Sequence, residues 1–275
     1  MESQKIVILD QFTKQARPFA TAAATKDKRA LELLLASTDA GAEDTVLDVA
    51  CGPGIVVCAF AEITRHATGV DLVPAMIEQA QSLQRERGLK NVFWKVADVY
   101  VLPYADASFS IVTSRYAFHH LENPQSVLSE MKRVCKPGGK VALVDVVASA
   151  DPQQAERFNQ MEKLRDPSHV RALSLSEMER LFCDVGLPAP KIKYYKAELE
   201  LESVLKRSFP EEGNAEKVRA LIRQAIEDDT MGINARLGRR SYQIQLPDCR
   251  FGKRKRYIAF AWNPQKVFKV AYRTH

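Results

Sequence analysis

The chain has 275 residues, 46% hydrophobic and 27% charged, with a formal net charge of +6. That length suits one sizeable domain or one domain with a smaller appendage, and the composition is that of a globular chain rather than a disordered or low-complexity one. No apolar run approaches the length of a membrane span, and the opening MESQKIVILDQF does not read as a signal peptide. Five scattered cysteines (Cys51, Cys58, Cys135, Cys183 and Cys249) with no C-x-x-C pair argue against a disulfide framework or a zinc site and favour a reducing compartment. A cytoplasmic protein is the expectation.

Residues 1–36 read as helical, with Ile6, Leu9, Phe12 and Phe19 on one apolar side and a second run at Ala30, Leu31, Leu33, Leu34 and Leu35. Thr45–Val49 predicts a buried strand, followed by a Gly-Pro-Gly turn and a helix over about 54–64. A second strand over 67–70 delivers Asp71, and Pro74 opens a helix through about Arg87 in the favoured first-turn position. Strands are expected over 91–96, 108–114 and 140–148, and helices over roughly 123–135 and 153–165. This alternation predicts a parallel sheet wrapped on both faces, with ligands at the carboxyl ends of its strands. Ser174 caps a helix ending near Gly186. Residues 191–199 read as a strand, 200–230 as two helices broken at Pro210–Gly213, and 256–262 as a last strand.

The loop after the first strand carries the first chemical clue. Gly52 and Gly54 allow backbone conformations closed to other residues and a close approach by a ligand. A dinucleotide fingerprint would need a third small residue where Val57 stands, and the Asp48 carboxylate at the mouth of the turn would repel a pyrophosphate. The same carboxylate suits a cationic ligand.

VLDVACGPG resembles the first motif of the class I S-adenosylmethionine-dependent methyltransferases, in the form of the ubiquinone/menaquinone-biosynthesis-like branch. Ala50 stands where many members have a first glycine. LPYADASFSIV and MKRVCKPGGKVALVD resemble two further passages of the family, with Ser110 replacing a customary Asp. The resemblance covers residues 40–150 well and 170–262 loosely. It implies an α/β, Rossmann-like fold: a seven-stranded sheet, mostly parallel with the last strand antiparallel, helices on both faces, N-terminal helices and a helical cap insertion. The domain organisation expected is an N-terminal helical lid (1–40), a cofactor-binding core (41–199 and 251–265) and a substrate cap (200–250).

The implied cofactor is S-adenosylmethionine, released as S-adenosylhomocysteine. Its expected contacts are Asp48, Ala50, Cys51, Gly52 and Gly54 in the loop, Asp71 on the ribose hydroxyls, Leu72 on the adenine ring, Asp98 and the Val99 N–H on the adenine edge, and Ser114 and Arg115 at the end of the fourth strand. In the lid, Phe12, Gln15 and Phe19 are candidates to cover the cleft, with Tyr116 and Asp145 as further substrate contacts.

Methyl transfer needs alignment and exclusion of water, and a base when the nucleophile carries a proton. His119 and His120 follow the fourth strand and are candidates, as is His169, which Asp166 is placed to orient. No metal site stands out by spacing. An Asn-Pro-Pro-Tyr-type motif is absent where SRYAF occurs, and no cysteine motif for RNA methylation is evident. This favours a small organic acceptor of apolar or aromatic character, with O-, C- and N-methylation open. The basic runs Arg239-Arg240 and Lys253–Arg256 motivate the rival reading of a nucleic-acid methyltransferase, and a non-catalytic cofactor-binding protein is a third. A monomer or homodimer is expected.

Overall fold

The computed structural model describes residues 2–26, 28–195, 198–237, 242–245 and 257–261. The basic runs and the tail after residue 261 lie outside the described residues. Two helices come first, α1 (Glu2–Lys26) and α2 (Lys28–Thr38). An alternating series follows: β1 (Thr45–Val49), α3 (Ile55–Ala61), β2 (His66–Asp71), α4 (Pro74–Glu86), β3 (Val92–Val96) and β4 (Phe109–Arg115). It continues through a short 3-10 turn (Phe118–His120), α5 (Pro124–Val134), β5 (Cys135–Asp145), α6 (Pro152–Arg165), α7 (Leu175–Asp184) and β6 (Lys191–Tyr195). The last elements are β7 (Glu198–Glu200), α8 (Leu201–Ser208), α9 (Asn214–Asp228), β8 (Arg236–Leu237), β9 (Tyr242–Gln245) and β10 (Tyr257–Ala261).

The main sheet has seven strands in the order β3-β2-β1-β4-β5-β10-β6, with β10 antiparallel to both neighbours. Its central strands are buried on both faces, as parallel strands between helical layers must be. Alternation sorts their side chains into two cores. Val46, Ile111, Ala142 and Val144 join the core that includes α3 and α9, while Leu47, Val49, Val112 and Leu143 join the one beneath α5 and α7. The chain leaves β1 toward β2 on one side and returns to β4 on the other. The order therefore reverses between β1 and β4, and a crevice opens outside their carboxyl ends.

Local signals work as read from the sequence. Pro74 opens α4 at its first turn, and Ser174 with Glu177 forms a capping box on α7. Ser110 is structural: it exchanges backbone and hydroxyl hydrogen bonds with Thr45 and ties β4 to the start of β1.

Three expectations change. β5 begins at Cys135, and its pairing with β4 shifts register between Phe109 and Ile111. Gly139 sits in that irregular stretch, where a Cβ would come within 2.7 Å of both the Ser110 carbonyl and Cys135 Sγ. Residues 191–199 divide between two sheets, because β7 pairs with β9 in a separate three-stranded sheet ordered β7-β9-β8. The 200–250 insertion is accordingly mixed rather than purely helical. Finally, α2 packs on α3, β5 and β10 with Ala30 and Leu34 fully buried, so only α1 of the N-terminal pair reaches the crevice.

Candidate active site

The β1–α3 loop turns sharply because Ala50, Gly52 and Gly54 all take left-handed backbone angles, with φ of 55°, 50° and 79°. The two glycines serve different ends. A Cβ on Gly52 would meet nothing within 4 Å and would project into open space, whereas one on Gly54 would lie 2.5 Å from the Trp94 ring and 2.7 Å from Ala80 Cβ. Gly54 therefore permits close packing of the loop on α4 and β3, and it does not line the cleft.

Two carboxylates lie at the base of the cleft. Asp48, 1% exposed, accepts from the Thr113 hydroxyl at 2.8 Å, its in-register neighbour on β4. Burial raises its pKa to about 7, against the opposing pull of Thr113 and Arg115. Asp71 accepts from the Gly52 N–H at 2.8 Å and the Val73 N–H at 2.9 Å, so it fixes the loop it faces. Burial raises its pKa to about 6 despite those bonds. Two buried acids whose ionised forms burial disfavours, beside a loop open at Gly52, fit a cationic ligand bearing a ribose. Asp98 lies across the opening. Its Oδ1 accepts from the Tyr100 N–H at 3.0 Å, and its Oδ2 meets Lys5 Nζ at 2.7 Å.

Helix α1 covers this cleft. Lys5, Ile8, Phe12 and Phe19 recur at helical spacing and line it. A neighbouring stripe of amides, Gln4, Gln11 and Gln15, binds the helix down. Gln4 donates to the His120 and Ser168 carbonyls, Gln11 to the Ser208 carbonyl, and Gln15 to Asp166 and Ser208. The insertion thus backs α1 through the end of α8, and no described residue of 200–250 lines the cleft.

Of the residues singled out in the sequence, Asp48, Ala50, Cys51, Gly52, Asp71, Leu72, Asp98, Val99, Arg115, Tyr116, Phe12, Phe19 and His120 converge on this cleft. Ser114 does not; its hydroxyl donates to the Val49 carbonyl at 2.8 Å and ties β4 to β1. Asp145 is also withdrawn. It accepts from the Phe118, His119 and Val146 N–H groups and from His119 Nδ1 at 2.5 Å, which locks the 3-10 turn to β5. His119 stays behind the cleft wall. Burial disfavours its protonation, but the Asp145 charge and hydrogen bond outweigh that and raise its pKa.

His169 also lies away from the cleft. It pairs through Nε2 with Asn159 at 2.8 Å, and burial with the charges of His119 and His120 lowers its pKa to about 2. Asp166 does not orient the His169 ring, contrary to expectation. Its carboxylate receives the Ser168 hydroxyl at 2.5 Å, and Ser168 in turn meets His120 Nδ1 through both its carbonyl and its hydroxyl at 3.1 Å.

His120 is the histidine that lines the cleft, edge-on to Phe12 with ring centroids 4.9 Å apart. Burial and the neighbouring His119 charge lower its pKa to about 4, so its ring is neutral near pH 7. Sequence reasoning missed Lys5, Gln4 and Ser168, although the amide stripe of α1 is visible once its helical register is drawn. Among the described residues, no group of three or more His, Cys, Asp or Glu side chains is arranged to hold a metal ion, and no helix is long and apolar enough to cross a membrane.

A methyltransferase-domain family model matches residues 47–143, the segment from β1 into β5. The uncharacterized methyltransferase YcgJ of Bacillus subtilis is 35% identical over 196 residues, 71% of this chain and 78% of its own. Its crystal structure aligns with a TM-score of 0.72 over 85% of this chain and 96% of that one. A putative methyltransferase of Bacillus halodurans aligns with a TM-score of 0.76 at 26% identity, over 85% of this chain and 97% of that one. The 27-O-demethylrifamycin SV methyltransferase of Amycolatopsis mediterranei is 30% identical over 53% of this chain and 54% of its own. With the reversed strand order, the acidic residues at the strand ends and the extent of the match to YcgJ all in agreement, the chain belongs to the class I S-adenosylmethionine-dependent methyltransferases.

Proposed function

We propose that this enzyme methylates a small organic acceptor of apolar or aromatic character, at oxygen, carbon or nitrogen, beneath the lid formed by α1. The observation that carries the reading is the setting of His120: a neutral imidazole on the wall of a cleft to which Ile8, Phe12, Phe19, Met76 and Leu121 also contribute. The relative named for a rifamycin acceptor supports a small molecule over a polymer.

S-adenosylmethionine, when bound, supplies an electrophilic methyl carbon, and its sulfur keeps the bonding electron pair as S-adenosylhomocysteine forms. The chain does the rest. Asp48 and Asp71 hold the cationic and ribose ends, and Asp98 with Val99 faces the adenine. Phe12 and Phe19 exclude water and press the acceptor toward the reacting carbon. A proton lost from an acceptor hydroxyl or acidic carbon is received by the His120 ring and later passes to solvent. The lid role falls to α1, and the insertion braces it.

Incubation with methyl-labelled S-adenosylmethionine and a metabolite library tests the reading. It expects a labelled product of low molecular weight; label found only in RNA would favour the nucleic-acid alternative.

A further inference from the structure

The segment Asp166–Ser168 lies behind His120 and does not itself line the cleft, and both of its polar side chains are buried. Ser168 is 0% exposed and Asp166 is 3% exposed. Two acceptors face Nδ1 of His120 at 3.1 Å: the Ser168 carbonyl, which can only accept, and the Ser168 hydroxyl oxygen. The hydroxyl proton is already committed, because Ser168 Oγ lies 2.5 Å from Asp166 Oδ1 and an ionised carboxylate cannot donate. Both contacts therefore require a proton on Nδ1. A neutral imidazole protonated there carries its lone pair on Nε2.

We propose that Asp166 and Ser168 are positioning residues that fix His120 as its Nδ1–H tautomer and so present Nε2 to the acceptor as the proton-accepting atom. The proposal rests on the reading of His120 as the base. Asp166 has a structural reason to stay ionised. Burial raises its pKa, but the Arg165 charge and the bonds from Ser168 and Gln15 oppose this, and the carboxyl is held below its usual range. When His120 takes a proton from the acceptor, Nδ1–H stays bonded to Ser168, and the carboxylate beneath favours the new cation. The lid shares in this arrangement. Gln15 Nε2 donates to Asp166 Oδ2 at 3.1 Å, and Gln4 Nε2 reaches the Ser168 carbonyl at 2.7 Å, so seating α1 steadies the same groups that orient the base.

The test is nitrogen-15 NMR of the histidine rings at neutral pH on the full chain, with His120 assigned by comparison with His120→Gln. The wild-type protein is expected to show His120 protonated at Nδ1 and unprotonated at Nε2. An Nε2–H tautomer in the wild type overturns the proposal without recourse to any variant. Asp166→Ala removes the acceptor and frees the Ser168 hydroxyl to donate to Nδ1. This variant should show a share of the Nε2–H tautomer and transfer label from S-adenosylmethionine to a metabolite extract about tenfold more slowly or worse, with cofactor affinity unchanged. Ser168→Ala leaves the carbonyl in place and should keep the Nδ1–H tautomer. A folded Asp166→Ala protein with wild-type tautomer and rate contradicts the positioning role. His120→Gln separates the two claims: full activity in that variant removes the base reading, whereas a slow His120→Gln beside a wild-type-like Asp166→Ala removes the positioning role alone.

Discussion

Lys5 Nζ and Asp98 Oδ2 lie 2.7 Å apart, joining the lid helix to the loop beyond β3 at the place where the adenine edge is expected. The pair is partly exposed, so salt screens it and its main consequence is kinetic. If Asp98 meets the adenine edge, an incoming cofactor must share or displace Lys5 to reach the carboxylate. Lys5→Met should speed association of S-adenosylmethionine in stopped-flow fluorescence and reduce the salt dependence of that rate. Slower association would show that Lys5 recruits the cofactor instead.

Asp71 combines a predicted ligand contact with bonds to the Gly52 and Val73 N–H groups. Asp71→Ala should weaken S-adenosylmethionine binding by at least ~1.4 kcal/mol, the scale of a lost charged hydrogen bond. Unchanged affinity by calorimetry would falsify the ribose assignment.

The raised acids should give cofactor binding a pH dependence if they hold the cofactor. Asp48 at about 7 and Asp71 at about 6 both stand above the ordinary 3.8, so protons bind the folded empty protein more tightly than the unfolded chain. These two groups therefore make the empty protein less stable as pH rises from about 4 to about 7. A cationic, hydroxyl-bearing ligand favours their ionised forms and expels the protons. Affinity for S-adenosylmethionine should rise between pH 5.5 and 7.5, by up to about tenfold per pH unit for each proton released, and level off above. Calorimetry in buffers of different ionisation enthalpy measures the release, and Asp48→Asn should remove the upper part of the rise.

The two loop glycines should separate stability from binding. Gly54→Ala forces a Cβ against Trp94 and Ala80 at a φ of 79° and should lower stability by about 1–3 kcal/mol in denaturant unfolding. Gly52→Ala meets open space, so its stability loss should be confined to the left-handed backbone, about 1–2 kcal/mol. Its larger effect should be on cofactor affinity, because Gly52 lines the cleft and the added methyl group would stand unpacked beside the ligand.

The sheet and most of the residues that meet at the cleft were legible in the sequence because each is specified locally. Val46, Leu47 and Val49 announce a buried strand, and Asp48, Asp71 and Asp98 each fall at or just after a strand end whose position the hydrophobic pattern marks. What escaped depends on distant contacts. Ser168 meets His120 across 48 positions, Gln4 meets Ser168 across 164, and Lys5 meets Asp98 only because α1 folds over the sheet. Local spacing also suggested the wrong partner for Asp166, pairing it with the nearby His169, since the turn that delivers its carboxylate to Ser168 has no signature of its own. The short sheet β7-β9-β8 was hidden for the same reason, its strands being two to four residues long and joined across the α8–α9 helices.

The most direct test of the account compares wild-type protein and His120→Gln for methyl transfer from labelled S-adenosylmethionine to a library of small acceptors, with cofactor affinity measured alongside. The account predicts a labelled small-molecule product whose formation falls by about 100-fold or more in the variant, the range of a lost general base, while affinity for S-adenosylmethionine stays the same. Label transferred only to RNA, or a variant that matches the wild-type rate on every acceptor found, would contradict it.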